Sequence, residues 1–162
     1  MIEIERRFLL KSLPDVAPAE KIRIVQYYYK NTDGVWERAR QMDYRTKGKK
    51  YVHTVKTRIS DMSSDEQEKE ITKAEFYSFR RKCIKYPGSS KMLEKTRHVY
   101  IHGDLKWEVD LFTKAATLVV AEVEIPSEDY DLSIPEFISK KVLIEVTAMK
   151  QFGNRSLANK IR

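Results

Sequence analysis

A mainly β protein, an eight-stranded antiparallel closed barrel with a few flanking helices, is the fold this sequence predicts. Three observations predict it. Apolar and charged residues alternate with a period of two in eight separate segments, as in strands with two different faces. Turn-forming residues separate several of them, at Asn31 to Gly34 and at His102-Gly103-Asp104. One stretch, 73–86, instead carries apolar groups at 76, 79, 83 and 84, a helical spacing. Eight antiparallel strands with few helices favour closure, because a closed sheet has no exposed edges.

The first strand is 2–10, in which Glu3, Glu5 and Arg7 share one face and Ile2, Ile4 and Phe8 the other. Strands at 22–30 and 34–42 flank the first turn, and alternation makes at least one of Tyr27, Tyr28 and Tyr29 a core residue. The lysine-rich 46–50 reads as a solvated turn before a strand at 50–58. A strand at 66–72 leads into the helix, which Pro87-Gly88 ends. Strands at 91–102, 105–112 and 117–125 follow, and the tail from about 153 has the composition of one more short helix. No repeat or linker divides the chain, so 1–162 is expected to form a single domain.

Composition narrows the function classes. Lys plus Arg exceed Asp plus Glu by 31 to 24, giving a net charge of +7 and a preference for anionic partners. No apolar run approaches the roughly 20 residues of a membrane span. One cysteine, Cys83, excludes an internal disulfide and fits a reducing, cytoplasmic setting. His53, His98 and His102 lack the spacing of a zinc site.

The charged faces carry the functional signal. Arg38 and Arg40, Lys56 and Arg58, and Lys95 and Arg97 are basic pairs two residues apart. Glu68 and Glu70, Glu108 and Asp110, and Glu122 and Glu124 are acidic pairs at the same spacing. A wet sheet face also alternates, but it mixes signs, because like charges side by side repel. In 119–125 the residues Val119, Ala121, Val123 and Ile125 form an apolar face, so if both faces of this strand are enclosed the two acids line an interior. Interior charges need partners. Acid pairs suit divalent cations with oxygen ligands, and arginines grip phosphate oxygens in a forked geometry. A metal-loaded polyphosphate would satisfy both populations.

Taken in order, EIERRFLL, WERARQ, HTVKTR, EQEKEI, LEKTRHVY, WEVDLF, AEVEI and IEVT with Asn154 and Leu157 resemble the CYTH superfamily, the triphosphate tunnel metalloenzymes. The chain is most similar to the small bacterial-type inorganic triphosphatases. The resemblance covers about 155 residues and implies a barrel that hydrolyses inorganic triphosphate or a related triphosphate with Mg²⁺ or Mn²⁺. It implies that Arg38, Arg40, Lys56, Arg58, Lys95 and Arg97 bind phosphate. Glu3, Glu5, Asp110, Glu122 and Glu124 would hold metal, with Glu68, Glu70 and Glu108 in support. Glu5 and Arg7 fall at its catalytic positions.

The sequence departs from the family at Arg7, where the family has lysine, at Glu66, where it often has arginine, and at Met149 and Gln151, which replace an acid and a base. A guanidinium does not lose its proton, so Arg7 cannot serve as a general base. The alternatives are a catalytically weak triphosphate- or nucleotide-binding module, a class IV-like adenylate cyclase, or a thiamine triphosphatase. The expected partner is a small-molecule triphosphate, with no membrane and no specific nucleic acid. Tyr77, Phe79 and Phe137 leave room for a homodimer surface.

Overall fold

The computed structural model describes residues 1–114 and 117–161. Eight strands form the barrel: β1 (Ile2–Leu10), β2 (Glu20–Lys30), β3 (Trp36–Asp43), β4 (Lys49–Arg58), β5 (Ser63–Glu70), β6 (Ser90–His102), β7 (Leu105–Phe112) and β8 (Leu118–Glu124). They pair antiparallel in the order β6-β2-β3-β4-β5-β1-β8-β7, and the register of β6 against β7, with Arg97 opposite Asp110, closes the ring. The expected strands are all present. β5 starts at Ser63 rather than 66, because Ser60 Oγ accepts from the Met62 and Ser63 amides and tightens the preceding turn. Gly34, Gly48 and Gly103 adopt positive φ in three connections, a backbone region that side chains disfavour.

Helix α1 (Lys73–Lys85) begins with a reciprocal capping box: Glu75 N–H donates to Thr72 Oγ1, and Thr72 N–H donates to the Glu75 carboxylate. Its apolar side covers the outer wall of β2 to β4, where Phe76 and Cys83 pack with Tyr27, Ala39 and Tyr51. Ile84, expected on that face, is instead exposed, since it follows Cys83 by one position and turns about 100° away. Tyr77 and Phe79 pack into this cluster as half-buried residues.

A second outer core covers β1, β7 and β8. Phe8, Trp107, Val109, Val119, Ala121 and Val123 meet Ile138 and Phe137 from the chain that follows β8. That chain holds α2 (Glu136–Ser139) and β9 (Val142–Glu145), neither of which has a clear periodicity in the sequence; β9 adds to β1. Arg6, which points outward, forks onto Glu145 at 2.7 and 2.9 Å and fixes this addition. The tail is part helix and part strand: α3 (Asn154–Leu157) is followed by β10 (Asn159–Lys160), which pairs with β6. Leu157 and Ala158 enter the barrel interior beside Tyr28, Leu93, Phe112 and Val120 and plug that region with apolar side chains. Among the described residues no helix is long and apolar enough to cross a membrane.

Candidate functional site

Alternation along the closed strands sends every second side chain inward. With outer cores on the other side of β1, β7 and β8 and of β2 to β4, the inward charges have nowhere else to go. They surround a cavity of about 900 Å³. Of the residues singled out from sequence, Glu3, Glu5, Arg7, Arg38, Arg40, Lys56, Arg58, Glu68, Arg97, Glu108, Glu122 and Glu124 line it. Three do not: Glu70 is exposed beyond the lining, while Lys95 and Asp110 lie deeper in the wall. Acids and bases are equal in number around the cavity, so the excess of +7 lies elsewhere on the molecule.

Cross-strand register decides which charges meet. Arg7 on β1 faces Glu122 on β8, and its guanidinium spans two carboxylates, Nη2 to Glu5 Oε1 at 3.1 Å and Nε to Glu122 Oε1 at 3.3 Å. Burial works to lower the Arg7 pKa, but Glu122 and Glu5 more than offset it, so Arg7 stays a cation. Lys56 bridges Glu5 at 3.2 Å and Glu66 at 2.7 Å. Burial also works against the charge of Glu66, yet Lys56 and Arg38 hold its carboxyl below the usual range.

On the opposite wall Arg40 Nη2 donates to Glu68 Oε2 at 2.8 Å, and Arg38 Nη2 to Thr54 Oγ1 at 3.1 Å. The Nε–H groups of both arginines are buried with no acceptor among the described residues. Burial, with Arg38 beside it, brings the Arg40 pKa down to about 10. Behind them Lys95 and Arg97 clasp Asp110: Lys95 Nζ lies 2.6 Å from Oδ2, and Arg97 Nε 2.8 Å from Oδ1. Burial opposes the Asp110 charge, but Arg97 and Lys95 carry its pKa down to about 2. Asn154 Oδ1 also accepts from Lys95 Nζ, tying the tail to this cluster. Arg97 further pairs with Glu108.

The acids of β1 and β8 are less well served. Glu3 and Glu124 have no ion-pair partner among the described residues. Burial, then Glu66, and further Glu124 and Glu5, push Glu3 up to about 7 against the pull of Lys56. No three carboxylates or imidazoles converge closely enough to hold an ion among the described residues, because Arg7 and Lys56 stand between the acids. The donor set still suits a hard cation: oxygen ligands, two of them carboxylates lacking a counter-ion. The histidines are dispersed, His98 buried in β6, His53 beside Glu37 and Phe79, and His102 against Phe137.

Some of the lining was not anticipated. Thr54 and Ser64 have the same strand parity as Lys56 and Glu66 and were legible by extending the alternation two residues. Tyr28, Trp36, Thr147, Lys150 and Arg155 also line the cavity. The charge lost at Met149 and Gln151 is partly made up by Lys150, which lies between them.

No family model matches the chain, and no curated protein matches it. Solved structures do. The hypothetical protein NE1496 is 29% identical with a TM-score of 0.63, and the match covers 99% of each chain. The inorganic triphosphatase NE1496, in a second structure, gives the same identity of 29% and TM-score of 0.63 over 98% of this chain and 95% of that one. HpAC1 from Hippeastrum, a putative adenylyl cyclase with a dominant triphosphatase activity, is 18% identical at a TM-score of 0.55, over 77% of this chain and 80% of that chain. At that identity the likeness is one of fold.

Proposed function

We propose that this chain is a member of the CYTH superfamily and that it hydrolyses inorganic triphosphate or a related small triphosphate with Mg²⁺ or Mn²⁺. The observation that carries this reading is the pair of buried, unpartnered Nε–H donors of Arg38 and Arg40, set in a cavity whose other wall holds carboxylates without counter-ions. Those donors want an anion with several oxygens, and those acids want a cation.

In this reading Arg38 and Arg40 grip the phosphate chain, with Lys56, Arg58 and Arg97 along its length. Lys95 and Asp110 hold Arg97 in place from behind. Glu5, Glu122 and Glu124, with Glu3 beside them, hold the metal, while Glu68 and Glu108 anchor the basic side chains. Bound there, a divalent cation would supply neutralisation of phosphate charge and a polarised water. Arg7 stays charged and keeps Glu5 and Glu122 aimed into the cavity, a positioning role.

Phosphate release from tripolyphosphate tests the reading. Native protein is expected to release phosphate with Mn²⁺ or Mg²⁺ and none after chelation. Glu122→Gln is expected to lose about a hundredfold or more. No release with either metal sinks the hydrolase. A second reading, tight triphosphate binding with slow turnover, is favoured by Arg7 in place of a base. Calorimetric binding of tripolyphosphate without hydrolysis, and turnover gained in Arg7→Lys, would establish it instead.

A further inference from the structure

We propose that Tyr28 is a further ligand of the bound triphosphate, its hydroxyl donating to a phosphate oxygen beside the guanidinium of Arg38. The inference rests on the reading of the cavity as a triphosphate site, and it adds a neutral donor to a cradle otherwise built of cations.

Strand register and the fate of one proton carry it. Tyr28 stands directly opposite Arg38 in the β2–β3 pairing, on the inner face, and is the only tyrosine among the described lining residues. It is 6% exposed, and its ring packs with Leu93, Phe112, Val120 and Ala158, which leaves the hydroxyl to face the cavity. That oxygen accepts from Gln26 Nε2 at 2.9 Å. A hydroxyl carries one hydrogen to give besides the lone pairs it offers. With a lone pair engaged by Gln26, the hydrogen has no acceptor among the described residues. Burial raises the phenol pKa against the pull of Arg38 and then Arg40, so Tyr28 keeps this proton at neutral pH.

The Nε–H of Arg38 is likewise buried without an acceptor. Two uncommitted donors on paired strands, facing one cavity, suit the oxygens of one anion. Gln26 is a positioning residue here: it is 0% exposed, and its donation turns the phenol proton away from the wall and toward the cavity.

Tripolyphosphate turnover with Mn²⁺, together with the near-ultraviolet difference spectrum recorded on mixing and before turnover, tests the proposal. Native protein is expected to show a tyrosine band shifted to longer wavelength. Tyr28→Phe is expected to lose that shift and about tenfold to a hundredfold in kcat/KM. The variant keeps the ring but leaves the buried Gln26 amide without its acceptor. The double variant Tyr28→Phe, Gln26→Leu removes that amide as well, and is expected to regain melting temperature while keeping the loss of kcat/KM. An unchanged kcat/KM in Tyr28→Phe, or a loss that the double variant restores, overturns the proposal. So does a spectral shift that persists in Tyr28→Phe, which would belong to Trp36 in the same lining. Native hydrolysis with an unaffected Tyr28→Phe removes Tyr28 alone. The tyrosine shift without phosphate release removes the hydrolase and keeps Tyr28 as a ligand, and neither signal on native protein removes both.

Discussion

Lys95 Nζ stands 2.6 Å from Asp110 Oδ2, and neither side chain is more than 1% exposed. Arg97 completes the cluster with two bonds to the same carboxylate, at 2.8 and 2.9 Å. Taking such charges out of water is costly, and mutual attraction offsets that cost only while every partner is present. Asp110→Ala would leave two buried cations facing each other. We expect it to lose about 3–5 kcal/mol of stability in urea unfolding. A loss below about 1 kcal/mol would show that water reaches the cluster and screens it.

Arg38 and Arg40 differ from the cavity's lysines in one respect that matters, an Nε–H with no acceptor among the described residues. Lysine has a single ammonium and no such donor. Arg38→Lys and Arg40→Lys keep the charge but remove the fork. Each is expected to lower kcat/KM for tripolyphosphate by about a hundredfold while leaving the melting temperature nearly unchanged. Activity retained in both would mean that charge alone suffices and that the forked geometry is idle.

Strand parity made most of the cavity legible, since it follows from backbone geometry alone. Glu122 and Glu124 were placed inside because Val119, Ala121 and Val123 left no other face free, and those three are indeed buried. Parity does not give register, which decides that Arg7 meets Glu122 and Arg97 meets Asp110. Nor does it give the length of the lining: Glu70 has the right parity but falls past the cavity. Residues 126–145 carried too little periodicity to reveal α2 and β9. What fixes β9 is a distant partner, the Arg6–Glu145 fork, and no local pattern encodes that.

The capping box at Thr72 offers a control outside the site. Thr72 Oγ1 accepts from the Glu75 amide at 3.1 Å and starts a helix that lies on the outer wall. Thr72→Ala is expected to cost about 1 kcal/mol of stability. Its KM for tripolyphosphate should stay at the native value, because α1 contributes nothing to the cavity lining. A shifted KM would show that the outer wall is mechanically coupled to the arginines of β3.

Cys83 supplies a prediction with a defined pH dependence. Its side chain, on the barrel-facing side of α1, is 0% exposed, and burial pushes the thiol up from 9.0 to about 11. A folded-state value above the unfolded one means that the contribution to stability is complete below pH 9.0 and is lost as pH rises through about 11. Thiolate is the reactive form, so a thiol that ionises near pH 11 rather than 9.0 is modified about a hundredfold more slowly at pH 8, before burial adds its own barrier. At pH 8 a disulfide reagent such as Ellman's should react slowly with native protein and at the free-thiol rate in urea. Cys83→Ser should remove the native signal and reduce, without abolishing, the alkaline loss of stability between pH 9 and 11, since buried Tyr28, its pKa also raised by burial, still contributes. Rapid native modification at pH 8 would show that α1 lifts from the barrel on the timescale of the assay.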